Sequence, residues 1–186
     1  MPQEKLVQFT VEQYDAMVQK GILPRELRCE LIEGEIIEMV PIGIAHSRVV
    51  TMLTNTLAIK VAGRALVSPQ NPIVLMPLSE PQPDLTIITT DAYASGHPRP
   101  ESILLVIEVA DSSVRYDRTR KMPLYANKGV REAWLVDLGA GAVDVHRGPG
   151  PAGWAHSFRV TRGQTISPEA FPDIVLAVDD ILGPIE

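Results

Sequence analysis

Apolar residues recur along this chain at two spacings, three-to-four and two, and the switches between them mark out its elements. Thr10-Val11-Glu12-Gln13 has the form of a capping box, and Val11, Tyr14 and Val18 follow at helical spacing until Gly21. This predicts a helix over 11–20. β-branched and apolar residues then flank Glu33-Gly34-Glu35, which predicts a hairpin over 29–39. Over 45–62, Val49, Val50, Leu53, Leu57 and Val61 form one helical stripe, with His46 at its head. Short strands are expected at 65–67 and 73–76. The segment 83–88 reads as a strand opened by Pro83-Asp84, and 91–101, with Gly96, Pro98 and Pro100, as loop.

The segment 103–109 is apolar until Glu108, the pattern of a strand covered on both faces, and belongs in the middle of a sheet. A helix is expected over 117–128, stopped by Gly129, with Pro123 kinking it or confining it to its later part. Residues 132–138 and 142–146 form a second expected hairpin across Gly139-Ala140-Gly141, with Trp134 in the core. The tail, 154–160 and 166–182, alternates short apolar pieces with Pro and Gly. The sum is an α+β fold, a central mixed β-sheet flanked by helices, read as one domain over 1–186 with its core at about 10–182.

Composition narrows this picture. At 186 residues the chain can bury a full core, and a hydrophobic content of 45% is that of a globular protein. The single Cys29 excludes an internal disulfide framework and fits a reducing cytoplasm. No apolar run reaches the roughly 20 residues of a membrane-spanning helix, and the first residues lack the layout of a signal peptide. A net charge of -6 argues against a whole surface adapted to coat nucleic acid, yet leaves room for a local basic patch.

Such a patch exists on paper. Arg115, Arg118, Arg120, Lys121, Lys128 and Arg131 stand against the single acid Asp117 and form a candidate phosphate-facing surface. Just before it lie Asp84 and Glu108 on two neighbouring strands. Two carboxylates with oxygen ligands alone suit Mg²⁺ or Mn²⁺, which keep several waters and take substrate phosphate oxygens. A Lys beside such an ion stabilises a phosphoryl transition state, and Lys121 is the candidate, reaching in from the helix.

At this point the residues resemble a known family. Glu30-Leu31-Ile32-Glu33-Gly34-Glu35, His46, Pro83-Asp84, the run from Ile107-Glu108-Val109-Ala110-Asp111 through Tyr116-Asp117 to Lys121, and Tyr125-Ala126 through Gly129, Glu132 and Trp134 to Asp137 are similar to the Uma-two family. That family comprises bacterial endonucleases of the PD-(D/E)XK, restriction-endonuclease-like fold. The resemblance implies Asp84, Glu108 and the Val109 carbonyl as metal ligands, Lys121 as a catalytic Lys migrated to the helix, and Glu30 and His46 as further site residues. It also implies DNA as substrate and a homodimer. Ala110 stands where the wider nuclease motif has Lys, a departure the resembling family shares.

Each choice has a plainer competitor. Pro83-Asp84 is matched by Pro172-Asp173, which no strand ending in Glu follows. Asp117 and Lys121 are spaced for an exposed helical ion pair. His46 on an apolar stripe is by default a core histidine, and Glu30, Glu33, Glu35 and Glu38 could be the wet face of a hairpin. The leading expectation is a metal-dependent endonuclease acting on DNA. The alternatives are a catalytically silent nuclease-fold domain that binds nucleic acid or a protein partner, and an oligomeric scaffold.

Overall fold

The computed structural model describes residues 6–24, 27–39 and 42–184. α1 (Val11–Gln19) carries the expected capping box, Thr10 accepting from the Gln13 N–H at 3.3 Å and Gln13 accepting from the Thr10 N–H at 2.9 Å. β1 (Cys29–Ile32) and β2 (Glu35–Glu38) form the expected hairpin. Its turn residues Glu33 and Gly34 both have positive φ, 51° and 84°, the geometry that matches the twist of a two-residue hairpin. α2 (Ile44–Lys60) buries the expected stripe of Val49, Val50, Leu53 and Leu57.

The central sheet has six strands in the order β3 (Leu66–Pro69), β4 (Leu85–Ile88), β5 (Ile103–Ala110), β6 (Glu132–Asp137), β7 (Ala142–Gly150) and β8 (Gly153–Thr161). All neighbours are antiparallel except β5 and β6. That parallel pair needs a crossover, and 111–131 supplies it with α3 (Val114–Tyr116), a π-helical turn (Asp117–Lys121) and α4 (Met122–Asn127). The mixed sheet with helices packed on it is the α+β, restriction-endonuclease-like architecture expected.

β5 sits inside the sheet and is buried on both faces. Leu105, Ile107 and Val109 join α2, Trp134 and α5 (Val178–Leu182) in one apolar cluster, while Val106 and Ala110 join Met122, Leu124 and Tyr125 in another. Glu108 alternates onto the second face, so β5 carries a carboxyl into the space beneath α4. A third, smaller cluster packs α1 on β1. Among the described residues no helix is long and apolar enough to cross a membrane.

Several local expectations give way to tertiary structure. Residues 73–76 form no strand; their N–H groups bond instead to loop carbonyls, Ile73 to Pro81 and Val74 to Pro98, leaving a lone bridge between Leu75 and Ser79. The helix expected from 117 begins at Val114, and Pro123 does not confine it. The π-helical turn, closed by the Met122 N–H on the Asp117 carbonyl, lies just ahead of Pro123, which falls in the first turn of α4 where a missing N–H costs little. The second hairpin is longer than expected, and 153–161 extends it into a three-stranded meander rather than a run of short pieces. Two-stranded β9 (Thr165–Ile166) with β10 (Leu176–Ala177) closes the tail.

Candidate active site

Where β5 ends and β4 begins, a cavity of about 520 Å³ opens against the hairpin and the head of α2. Asp84, Glu108, Val109, Lys121, His46 and Glu30 all line it. The five side chains and one main-chain position singled out from the sequence therefore converge, drawn from the entry to β4, from β5, the π-helical turn, α2 and β1.

Asp84 is the last residue before β4 and leans across to β5. Its Oδ2 accepts the Val109 N–H at 2.8 Å and lies 3.0 Å from His46 Nε2, which must carry a proton to face a carboxylate oxygen at that distance. Asp84 Oδ1 has no hydrogen bond among the described residues. In a strand the N–H and C=O of one residue face the same edge, so the Val109 carbonyl shares the edge at which Asp84 stands.

Glu108 is only 3% exposed. Its Oε1 accepts from the Tyr125 hydroxyl at 2.5 Å and lies 3.4 Å from Lys121 Nζ. Its Oε2 has no hydrogen bond among the described residues. Lys121 is 5% exposed and also reaches Glu30 Oε2 at 3.1 Å, an oxygen that in addition accepts the Gln82 N–H at 3.2 Å. Asp117, 4% exposed, accepts from Ser113 Oγ at 2.6 Å. The alternative reading of Asp117 and Lys121 as an exposed helical ion pair does not hold, since both are buried. Both residues lie in the π-helical turn, on the side of the helix that also carries the buried Tyr125.

The electrostatics follow from crowding. Burial pushes the Glu108 carboxyl up to about 8; Lys121 opposes that shift, and Asp84 and Asp117 add to it. Burial likewise raises Asp117, against the pull of Lys121 and Ser113. Burial disfavours the charged Lys121 ammonium, but Glu108, Glu30 and Asp117 more than offset this, so its pKa is raised and it stays charged. Three carboxyl groups share one ammonium, and Asp84 stands beside them with His46. The buried acid Glu132 makes the contrast: Trp134 Nε1, the Arg147 guanidinium and the Glu169 N–H donate to it at 2.7–2.8 Å, a fully partnered structural carboxyl.

The arrangement fits a hard divalent cation. Two facing carboxyls each keep one oxygen with no partner among the described residues, and there is too little positive charge nearby for the acids present. Among the described residues no three His, Cys, Asp or Glu side chains are grouped as a complete ligand set, so waters and substrate oxygens would fill the remaining positions, as Mg²⁺ and Mn²⁺ prefer.

The amino-acid sequence matches the Uma2 family, described as "Putative restriction endonuclease", over residues 11–179. The chain belongs to that family. Five solved chains also match in structure. One of them, described as a "putative nuclease belonging to DUF820 from Anabaena variabilis ATCC 29413", superposes with a TM-score of 0.75 at 17% identity, covering 94% of this chain and 97% of its own. At that identity the likeness is one of fold. No curated protein sequence matches the chain.

Sequence reasoning assigned no site role to Tyr125, Gln82 or Ser113. Tyr125 was accessible in principle, since it follows Lys121 by four residues and so shares its helix face. Gln82 acts through its backbone N–H and Ser113 through its hydroxyl, both from loops that no pattern announces. The basic patch also reads differently in three dimensions. Arg118 is held by Asp137 and Asp144, Arg120 by Glu33 and Glu35, and Lys128 donates to the Met76 carbonyl, so these cations are spent on the protein itself. Glu33 and Glu35 are accordingly ion-pair partners rather than a bare wet face. Asp173, the decoy Pro-Asp, pairs with Arg64 at the surface.

Proposed function

We propose that the protein is an endodeoxyribonuclease dependent on Mg²⁺ or Mn²⁺, with Asp84, Glu108 and the Val109 carbonyl as its metal ligands. The observation that carries this reading is the cluster of three buried carboxyl groups, Glu30, Glu108 and Asp117, around one ammonium beside the half-buried Asp84, with Glu108 pushed up to about 8 by burial. A structural acid is matched by donors, as Glu132 is; Glu108 is left with an oxygen facing the cavity. When bound, the divalent ion would acidify a water and offset charge on the scissile phosphate.

The chain's own residues do the rest. Val109 N–H and His46 hold the Asp84 carboxyl in place. Tyr125 orients Glu108 from behind. Lys121, kept charged by Glu30, Glu108 and Asp117, stands where it can hold the attacking water or stabilise the phosphorane-like transition state. Glu30 positions Lys121, which explains how the helix supplies the Lys that Ala110 does not. Cutting both strands of a duplex asks for two such centres, the reason to expect a homodimer.

The test is nicking of supercoiled plasmid by the purified chain with Mg²⁺ or Mn²⁺. Activity lost in chelator and in Asp84→Asn supports the reading; nicking that persists in both overturns it.

A further inference from the structure

Beyond β6, at the same end of the sheet, a second cavity of about 580 Å³ lies between the β6–β7 turn, the end of β8 and the first half of α2. Its charged lining among the described residues is Arg48 and Arg162, with no carboxylate. Arg162 is tethered at 3.2 Å by Asp179. Arg48 makes no hydrogen bond or ion pair among the described residues, and its Nε is buried without an acceptor. Gly183, at φ 73°, lets the chain pass close over this guanidinium: a Cβ there would stand 2.7 Å from Arg48 Nη1. A buried donor without an acceptor is destabilising, a cost that an anion in the cavity would remove.

The cavity adjoins the carboxylate site. Gly43 and His46 of the α2 region line one, Ala45 and Arg48 line the other, and the Leu138 N–H bonds the Ala110 carbonyl between them. Two to three strand spacings separate them, roughly 10–14 Å. A nucleic-acid strand covers that span in about three or four nucleotides at 3.4 Å of rise each.

We propose that this cavity is a phosphate subsite in which Arg48, with Arg162 at its rim, grips the DNA backbone a few nucleotides from the bond that is cut. The choice of DNA as the anion rests on the nuclease reading above. Guanidinium suits the role because its planar fork meets two phosphate oxygens at once. The cations of 118–128 are engaged by the protein's own acids and carbonyls, whereas Arg48 is held ready with no such partner among the described residues.

The test is binding of a duplex oligonucleotide in chelator between roughly 50 and 200 mM salt. Arg48→Gln should weaken binding about tenfold and reduce the slope of log K against log salt by about one, while Arg48→Lys keeps the slope. Mn²⁺ affinity by calorimetry and hydrolysis of bis(p-nitrophenyl) phosphate, too small to reach the cavity, should be unchanged in Arg48→Gln while plasmid nicking falls. If that variant does not fold, Arg162→Gln should show the same loss of slope. Identical affinity and slope in wild type and variant, no DNA binding by wild type, or competition by inorganic phosphate as effective as by duplex would each overturn the subsite. Nicking with an unchanged slope removes the subsite and leaves the nuclease reading; Arg48-dependent binding without nicking under either metal removes the nuclease reading and leaves the subsite.

Discussion

Replacing Glu108 by Gln separates a metal ligand from a structural ion-pair partner. The change keeps the side chain's volume and an acceptor for the Tyr125 hydroxyl, and it leaves Lys121 with Glu30 at 3.1 Å. In the metal-free wild type, burial raises the Glu108 carboxyl from an ordinary 4.5 to about 8. Between those values the folded chain keeps a proton that the unfolded chain has lost, so stability falls as pH rises through this window. At about 1.4 kcal/mol per unit the full shift amounts to ~5 kcal/mol, and relaxation of the site brings this to about 2–4 kcal/mol. Gln has no proton to lose. Metal-free Glu108→Gln should therefore exceed wild type by about 2 kcal/mol or more near pH 8, an increase of roughly 4–8 °C in Tm, with the gap closing toward pH 4.5. Thermal melts in chelator at both ends of the window measure this. Excess Mn²⁺ should then raise the wild-type Tm near pH 8 and leave the variant's unchanged, and plasmid nicking should be lost in the variant. A variant that melts below wild type near pH 8, by the ~3 kcal/mol typical of breaking a buried ion pair, would refute the reasoning and make Glu108 a structural partner of Lys121.

Three further outcomes follow from the same geometry. Lys121→Met leaves Glu30, Glu108 and Asp117 without their shared cation, so urea melts at neutral pH should show a loss of about 3–5 kcal/mol together with loss of nicking. Mn²⁺ affinity measured by calorimetry should weaken as pH falls below about 8, by up to tenfold per unit, with proton release on binding; a flat profile would contradict a protonated Glu108 in the metal-free site. Gly34→Ala should destabilise the chain by at least about 1–2 kcal/mol in thermal melts, because φ is 84° and the added Cβ would stand 2.5 Å from Gln8 Cβ.

The elements that sequence patterning placed well are those whose burial is one-sided or complete over a long run. α1 announced itself by its cap, α2 by its stripe, and β5 by an apolar run whose one acid stood out. Asp84 and Glu108 were legible because an unpaired carboxyl beside buried strands is costly, a rule that needs no coordinates. Residues 73–76 misled because four apolar residues can satisfy burial without pairing, and only the neighbouring loops decide which backbone groups they meet.

What the sequence determined by itself is the placement of α1, α2 and the first hairpin and the central place of β5 with one acid in its apolar run, all consequences of hydrophobic period and desolvation. Tertiary structure alone decided how the charges pair. Lys121 is buried within the π-helical turn, Glu30 joins it from a hairpin 91 residues earlier, and Arg118 and Arg120 of the basic run are neutralised by acids from β2, β6 and β7. Electrostatic partners are set by distances across the fold, and a local pattern carries no information about those distances.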